Sequence, residues 1–143
     1  MKIQGGEAAG HELLQEFLSH KLVRYGDDRN HPQKDETSGF SPCLHFGHIS
    51  SHRIFKGIAE SENWSTGQLA LKTRGQREGW WGMSESAEGF MDQLLTWREL
   101  GYNLCHREED YDRWEGLPEW ARKTLLERAE DSREYVYSLE EYT

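Results

Sequence analysis

The spacing of apolar residues is the feature that most restricts how this 143-residue chain can fold. In several segments, apolar side chains recur every three or four residues, which places them on one face of an α-helix. No stretch alternates apolar and polar residues over five or more positions, as a half-buried strand would. We therefore predict an all-α fold. The length suits a single domain with a substantial core, and no internal repeat divides it.

Polar loops join the predicted helices. Three local signals set the helix bounds: a serine before the first apolar turn, a proline in that turn and a glycine after the last one. The helices run from about Leu13 to Tyr25-Gly26, from Pro42 to Gly47, from Ser50 or Ser51 through Ile58, from Ser84 to about Leu104, and from Pro118 through Leu126. Residues 61 to 82 are interpreted as a long connection, and residues 132 to 143 as a shorter final segment.

Composition excludes several classes of protein. The mean hydropathy is -0.93, and no apolar run approaches the roughly 18 residues that span a bilayer, so we expect no membrane segment. Residues 1 to 10 lack the apolar stretch of a secretory signal. Cys43 and Cys105 are expected to be reduced thiols in a cytoplasmic protein.

The net charge of -9 argues against a surface that attracts nucleic acid over its whole extent. The charge is uneven, because residues 1 to 100 carry 11 Lys and Arg against 14 Asp and Glu, whereas residues 101 to 143 carry 6 against 12. Any contact with a polyanion is therefore expected in the first hundred residues.

Hydroxyl side chains stand directly before one predicted helix, in the segment Thr37-Ser38-Gly39-Phe40-Ser41-Pro42. Ser41 fits the N-cap position and Pro42 the first helical position, so unpaired N–H groups and the positive end of the helix dipole would favour an anion. Gly39 adds conformational freedom, and Thr37 and Ser38 add hydroxyls that can reach phosphate oxygens. The alternative is an ordinary capped helix after a polar loop.

A second group of candidate site residues lies on the helix predicted after Ser84. Gln93 and Trp97 are four residues apart and share a helix face. An amide beside an indole can hydrogen-bond the edge of a flat heterocycle while the indole ring stacks on its face. Arg98 lies on an adjacent face and can anchor a charged group. The alternative makes Trp97 a core residue and Arg98 part of a structural ion pair.

A metal site is a further alternative, because Cys43, His45, His48 and His52 are spaced so that several could lie along one helix face. Tight zinc sites combine ligand pairs from two separated segments, and only Cys105-His106 offers a second pair. We expect no metal and interpret these histidines as polar helix residues.

The succession of motifs along the chain resembles the FAD-binding domain of the DNA photolyases, and specifically of the class II deoxyribodipyrimidine photolyases. The matching segments cover nearly all of the chain apart from residues 61 to 82; they are Gly5-Gly6, Tyr25-Gly26-Asp27-Asp28-Arg29-Asn30-His31-Pro32, residues 37 to 50, residues 90 to 104, Asp110-Tyr111-Asp112, residues 117 to 125 and residues 131 to 140. The resemblance implies a helical FAD-binding domain that comprises residues 1 to 143 and is incomplete at its C-terminal side.

The resemblance also implies a role for each candidate residue. In such proteins the segment matching Thr37 to Ser41 contacts the phosphates and ribityl chain of FAD. The residue matching Tyr25 reaches a phosphate, and the residue matching Arg98 lies near the flavin. The residue matching Trp97 forms one wall of the pocket for a flipped pyrimidine dimer, and the residue at the position of Gln93 hydrogen-bonds that dimer.

The implied reaction is the light-driven repair of cyclobutane pyrimidine dimers in DNA. One electron passes from reduced FAD to the dimer, the cyclobutane ring splits and the electron returns, while the protein positions flavin and dimer and excludes water. The expected partner is UV-damaged DNA, with no membrane and no obligate protein partner, in the cytoplasm and on the nucleoid when bound. The antenna chromophore of such proteins is not specified by this chain.

Two departures from the family pattern affect the expected activity. Gln93 stands where the family has a glutamate, and an amide can donate a hydrogen bond but carries no charge. The family's N-terminal α/β domain and its C-terminal helices have no counterpart in these residues. Because the C-terminal helices of the family supply the residues around the flavin ring, we expect the chain alone to bind FAD weakly or not at all and to be inactive.

Two other function classes stay open from the sequence. The first is a cryptochrome-like flavin photoreceptor or another non-catalytic binding module of the same fold. The second is a cofactor-free helical interaction domain.

Overall fold

The computed structural model describes residues 5–72, 75 and 78–142. The chain divides into two compact units, residues 1–100 and 101–143, and each is described by itself. The described residues contain helices and no strand, which confirms the predicted all-α fold.

Residues 1–100 contain two long helical runs, and each run is α-helical at its ends and π-helical in its middle. The elements in chain order are α1 (Glu7–Glu16), a π-helical turn (Phe17–Lys21), α2 (Leu22–Asp28), a 3₁₀ turn (Pro32–Lys34), α3 (Ser41–His45), α4 (Ser51–Ser61), a 3₁₀ turn (Thr66–Gln68), α5 (Glu85–Met91), a π-helical segment (Asp92–Trp97) and the start of α6 (Arg98–Arg107).

The core of this unit is built around four aromatic rings, Phe17, Tyr25, Phe40 and Phe90, which we call the aromatic cluster. Phe17 is fully buried, and its ring centroid lies 5.8, 5.3 and 4.7 Å from those of Tyr25, Phe40 and Phe90. Edge-to-face and tilted pairs of this kind add to the free energy gained by burying the rings. The buried aliphatic side chains and the buried methionine of the same core are Leu14, Leu22, Ile49, Ile54, Ile58, Ala87, Met91 and Leu94.

The predicted helix starts at Ser50 and Ser84 are confirmed. Ser50 Oγ accepts a hydrogen bond from the Arg53 N–H at 3.1 Å, and Ser84 Oγ accepts one from the Ala87 N–H at 3.4 Å. Each hydroxyl satisfies a backbone donor that the first helical turn leaves unpaired. The predicted break at Gly47 is also confirmed, because this residue lies in the left-handed region at φ +69°.

The helix predicted to end near Tyr25-Gly26 ends two residues later, at Asp28, so Gly26 does not stop it. Gly26 lies instead where α2 packs against α5. Its N–H donates to Ser86 Oγ at 3.2 Å, and that hydroxyl donates to the Val23 carbonyl at 3.0 Å. A Cβ on Gly26 would lie 3.1 Å from Ser86 Oγ, so this glycine permits close helix packing rather than ending a helix.

The connection after α4 folds onto the unit through a second aromatic group. The rings of Trp64 and Trp81 lie 5.8 Å apart, and both pack against Phe55. The indole N–H of Trp64 donates to the Trp81 carbonyl at 2.6 Å. Near the end of the connection, the buried carboxylate of Glu88 accepts hydrogen bonds from the backbone N–H groups of residues 79, 82 and 83. The described residues at the beginning and end of the connection are therefore held against α4 and α5.

The second unit, residues 101–143, is formed by short elements. Besides the end of α6, they are a 3₁₀ turn (Trp114–Gly116), α7 (Glu119–Glu127) and a 3₁₀ turn (Leu139–Tyr142). The helix predicted from Pro118 is confirmed, and Pro118 is the N-cap residue of α7. No residue is buried in the described part of this unit, and Trp120, Leu125 and Leu126 on α7 are exposed.

Candidate functional site

The loop before α3 does not form the helix cap that its sequence predicts. α3 begins at Ser41, so Ser41 is the first helical residue, and the N-cap residue is Phe40, which already has helical angles (φ -73°, ψ -16°). Burial of the Phe40 ring in the aromatic cluster sets this register. Burying such a ring contributes about 1.5–3 kcal/mol, whereas a serine N-cap contributes about 1 kcal/mol. The tertiary contact therefore prevails over the local preference.

The loop nevertheless keeps the groups that a phosphate needs. α3 has five residues, so its dipole contributes little to anion binding. Thr37 and Ser41 are exposed, and Ser38 Oγ accepts a hydrogen bond from the Phe40 N–H at 3.5 Å. Gly39 adopts the left-handed conformation, φ +69°. Small hydroxyl residues on a backbone anchored by a buried ring fit the phosphate end of a nucleotide cofactor.

Tyr25 belongs to the core more than to the surface. Its side chain is 8% exposed and lies edge to face with Phe17 and Phe90. Arg29 Cζ lies 5.4 Å from the Tyr25 ring centroid, within cation–π range. The structure thus brings Tyr25 and Phe40 into one cluster and buries both rings. If these two residues contact a ligand, Tyr25 does so through its hydroxyl and Phe40 through its backbone.

Gln93 and Trp97 meet at a third residue, Asp92, in the π-helical segment after α5. Trp97 Nε1 donates to Asp92 Oδ2 at 3.0 Å, and Gln93 Nε2 donates to the same oxygen at 3.4 Å. Asp92 is 8% exposed, whereas Trp97 is 59% exposed. The alternative of a core tryptophan at position 97 therefore does not hold. We call these three residues the Asp92 group.

Arg98 connects two helices. Its Nη1 donates to Ser51 Oγ at 3.0 Å, and Ser51 is the buried first residue of α4. This hydrogen bond links the first residue of α6 to the first residue of α4, whereas the alternative of a structural ion pair at Arg98 stays a prediction. The same hydrogen bond restrains the positively charged guanidinium of Arg98, which directly follows Trp97 of the Asp92 group in the sequence.

Two residues of the site were missed in the sequence, Asp92 and Ser51. On a regular α-helix, residues five apart do not lie one above the other, so nothing in the pattern pairs Asp92 with Trp97. A π-helical turn brings residues five apart together. In the part of the chain that the structure describes, the side chains of Gln93 and Trp97 hydrogen-bond to Asp92 rather than to the Thr37–Ser41 loop.

Ion pairs hold the segment that leads into this loop. The three pairs link α2 and the π-helical turn to residues 34–36; they are Lys21 with Asp35, Arg24 with Glu36, and Lys34 with Asp28. The hydrogen bond from the Lys34 ammonium keeps the pKa of the Asp28 carboxyl below its ordinary value. Exposed pairs of this kind each contribute little stability, but together they restrict the path of the segment.

The described residues contain neither a cluster of three or more metal-ligating side chains nor a helix that could span a membrane. No group of three or more His, Cys, Asp or Glu side chains is placed there to hold a metal ion, so the alternative site at Cys43, His45, His48 and His52 is not formed among them. Both cysteines are free, Cys43 buried and Cys105 exposed. None of the described helices is both long and apolar enough to cross a membrane.

Several curated proteins named deoxyribodipyrimidine photo-lyase are similar to nearly the whole chain. The protein from Arabidopsis thaliana is 38% identical over an alignment of 141 residues, and the alignment covers 95% of this chain and 25% of the relative. The protein from Potorous tridactylus is 34% identical over 136 residues, 95% of this chain and 22% of the relative. The protein from Methanothermobacter thermautotrophicus is 36% identical over 138 residues, 96% of this chain and 26% of the relative. No protein-family model matches the chain.

The helical fold and these identities define the class of protein. The chain belongs to the photolyase family. It spans about a quarter of the length of the curated relatives it matches. The expected family is confirmed, and the assignment to class II stays a prediction.

Proposed function

We propose that this chain forms part of the FAD- and dimer-binding core of a class II deoxyribodipyrimidine photolyase, which splits cyclobutane pyrimidine dimers in UV-damaged DNA in light. The observation that carries the proposal is the Asp92 group, in which an exposed indole and an amide are held on one buried carboxylate. A flipped pyrimidine dimer offers the flat faces and polar edges that an indole and an amide contact.

The residues of this chain have distinct roles in the proposal. The hydroxyls of Thr37, Ser38 and Ser41 hold the FAD phosphates, and Gly39 lets the backbone approach them closely. The Tyr25 hydroxyl adds a further phosphate contact. Bound reduced FAD supplies the electron for dimer splitting when it absorbs light.

Three further residues of the chain act on the dimer and the flavin in the proposal. Trp97 stacks on one base and excludes water, and Gln93 hydrogen-bonds the base edge. Arg98, held by Ser51, supplies positive charge near the flavin.

The DNA contact is local, since the first hundred residues carry 14 acidic against 11 basic side chains. Both cysteines are free, which is consistent with a cytoplasmic protein that acts on the nucleoid.

A flavin photoreceptor without repair activity is the second candidate. Gln93 favours it, because an amide carries no negative charge and has no acidic proton to transfer. Both candidates require FAD, so repair is the property that separates them.

The test is a chimera in which the matched 138 residues of the Methanothermobacter relative are replaced by those of this chain. Bound flavin is measured by absorbance, and a thymine-dimer oligonucleotide is illuminated with the chimera. We expect bound flavin and light-dependent restoration of thymines, with none in the dark. Bound flavin without restored thymines would support the photoreceptor candidate, and a folded chimera without flavin would contradict the cofactor assignment.

Matched tryptophan variants of the chimera locate the dimer contact. Trp97→Ala removes the exposed stacking surface, and we expect dimer binding to weaken roughly tenfold to a hundredfold, since stacking contributes about 1–3 kcal/mol per base. Trp120→Ala removes another exposed indole, on α7, and should leave dimer binding unchanged. Equal effects of the two substitutions would exclude a specific pocket at Trp97.

A further inference from the structure

Asp92 is a buried carboxylate whose hydrogen-bond donors are surface side chains. It is 8% exposed, and its Oδ2 accepts from Trp97 Nε1 at 3.0 Å and from Gln93 Nε2 at 3.4 Å. A carboxylate removed from water is costly unless hydrogen bonds satisfy its oxygens. The indole and the amide therefore stabilise Asp92 in its buried position, and the fixed carboxylate in turn restrains both of them.

The restraint matters because packing alone does not fix the Trp97 ring. This side chain is 59% exposed, and an exposed indole without a polar partner can change its rotamer on a fast timescale. A hydrogen bond to a charged acceptor is shorter and stronger than one between neutral groups. The bond to Asp92 thus holds one edge of the ring inward while most of its surface stays open to a ligand.

The same carboxylate orients the Gln93 amide. With Nε2 turned toward Asp92, Oε1 is left as an acceptor and the second N–H as a donor. An acceptor beside a donor is complementary to the imide edge of a thymine or uracil, where an N–H lies next to a carbonyl. Without a fixed partner, the amide would turn about its terminal bond and present either order.

We propose that Asp92 is a positioning residue, which fixes the Trp97 indole and the Gln93 amide for a flipped pyrimidine and does not itself touch the base. The proposal rests on the proposed function for the identity of the ligand, whereas the restraint on Trp97 is a property of the chain alone. The two parts can therefore be tested separately.

The restraint is tested by the indole N–H signals in ¹H–¹⁵N NMR spectra of the 143-residue chain. The Trp97 signal is assigned by its loss in Trp97→Phe. In the wild-type chain we expect the Trp97 N–H to exchange with solvent at least about tenfold more slowly than that of the exposed Trp120. Equal exchange would overturn the proposal, and this comparison needs no variant of Asp92 to fold.

The variant Asp92→Asn removes the charge and keeps the shape. We expect the Trp97 indole signal to shift and its exchange to become about tenfold faster. The control is Glu88→Gln, which alters another buried carboxylate of the same helical run whose acceptor contacts go to the backbone of residues 79, 82 and 83. A Trp97 signal that does not respond to Asp92→Asn, or responds equally to Glu88→Gln, would overturn the proposal.

The link to the ligand is tested in the chimera with the Methanothermobacter relative, by binding of a single-stranded oligonucleotide with one thymine dimer, compared with its undamaged counterpart. We expect Asp92→Asn to weaken binding of the dimer about tenfold and to leave binding of undamaged DNA unchanged. A wild-type preference for the dimer that survives in Asp92→Asn would overturn the positioning role. A chimera that carries the wild-type sequence of this chain but shows no such preference would contradict the proposed function, while the indole signals of the 143-residue chain still decide the restraint.

Discussion

Glu88 and Asp92 are buried carboxylates on one helical run, and their hydrogen-bond donors differ in kind. Glu88 accepts from backbone N–H groups of the connection before α5. Asp92 accepts from the side chains of Trp97 and Gln93. Backbone donors fix the course of the chain, whereas side-chain donors are themselves oriented by the bond they make. For this reason we assign Glu88 to the fold and Asp92 to the site.

At the scale of single residues, two glycines with equal φ angles should respond differently to alanine. Gly47 and Gly82 both have φ +69°, but a Cβ at 82 would lie 2.6 Å from the Gln68 carbonyl oxygen, whereas a Cβ at 47 has nothing within 4 Å. We expect urea unfolding to show a loss of about 1 kcal/mol for Gly47→Ala from backbone strain alone. Gly82→Ala should lose about 2–4 kcal/mol, because the steric overlap adds to the strain. Equal losses would show that the carbonyl of Gln68 moves aside freely.

At the scale of elements, the aromatic cluster joins the π-helical turn, α2, the loop before α3 and α5. Phe17 contacts each of the other three rings. We expect Phe17→Ala to lower the free energy of unfolding by about 3–5 kcal/mol, since it leaves a cavity among rings that cannot close fully. Phe17→Leu should lose less, because it keeps most of the volume.

Unfolding by urea, followed by circular dichroism, measures both substitutions of Phe17. The control is Val23→Ala, because Val23 is 77% exposed and its truncation should change stability by less than about 0.5 kcal/mol. If Phe17→Ala and Val23→Ala lost the same free energy, the aromatic cluster would not be the core of this unit.

The elements also show how far the sequence predicts this molecule. Periodicity and caps predicted the all-α fold and the helix starts after Ser50 and Ser84, because those signals are local. The cap at Ser41 was wrong because burial of Phe40 decides where α3 begins. The two π-helical segments could not be predicted, since a pattern of apolar residues presupposes the regular α-helical turn. The partner of Trp97 was missed for the same reason.

The candidate site residues also differ in how well the sequence predicts their exposure. The exposure of Trp97 and of the hydroxyls of Thr37 and Ser41 agrees with roles at a surface. Tyr25 and Phe40 stand in the same motifs, yet their rings are buried, because a motif specifies residue types and not the side of the backbone that faces the core. Their proposed contacts with a cofactor therefore pass through a hydroxyl and a backbone group.

At the scale of the whole molecule, burial is distributed unevenly along the chain. The buried residues of the described ranges lie between Gly10 and Leu94, whereas those of residues 101–142 are exposed or half-buried. The second unit also carries 12 acidic against 6 basic side chains, so charge repulsion adds to its lack of a core. Local stability should therefore fall sharply from the first unit to the second.

Helices α4 and α7 allow a matched test of this difference, because they have 11 and 9 residues. An isolated helix shorter than about 12–15 residues is marginal in water, so each depends on tertiary contacts. α4 has them, since Ile54 and Ile58 are fully buried, while Trp120, Leu125 and Leu126 of α7 are exposed. We expect amide hydrogen exchange of the 143-residue chain, measured by mass spectrometry, to be roughly a hundredfold faster in peptides from α7 than in peptides from α4. Similar protection of the two helices would contradict the proposed difference in local stability between the two units.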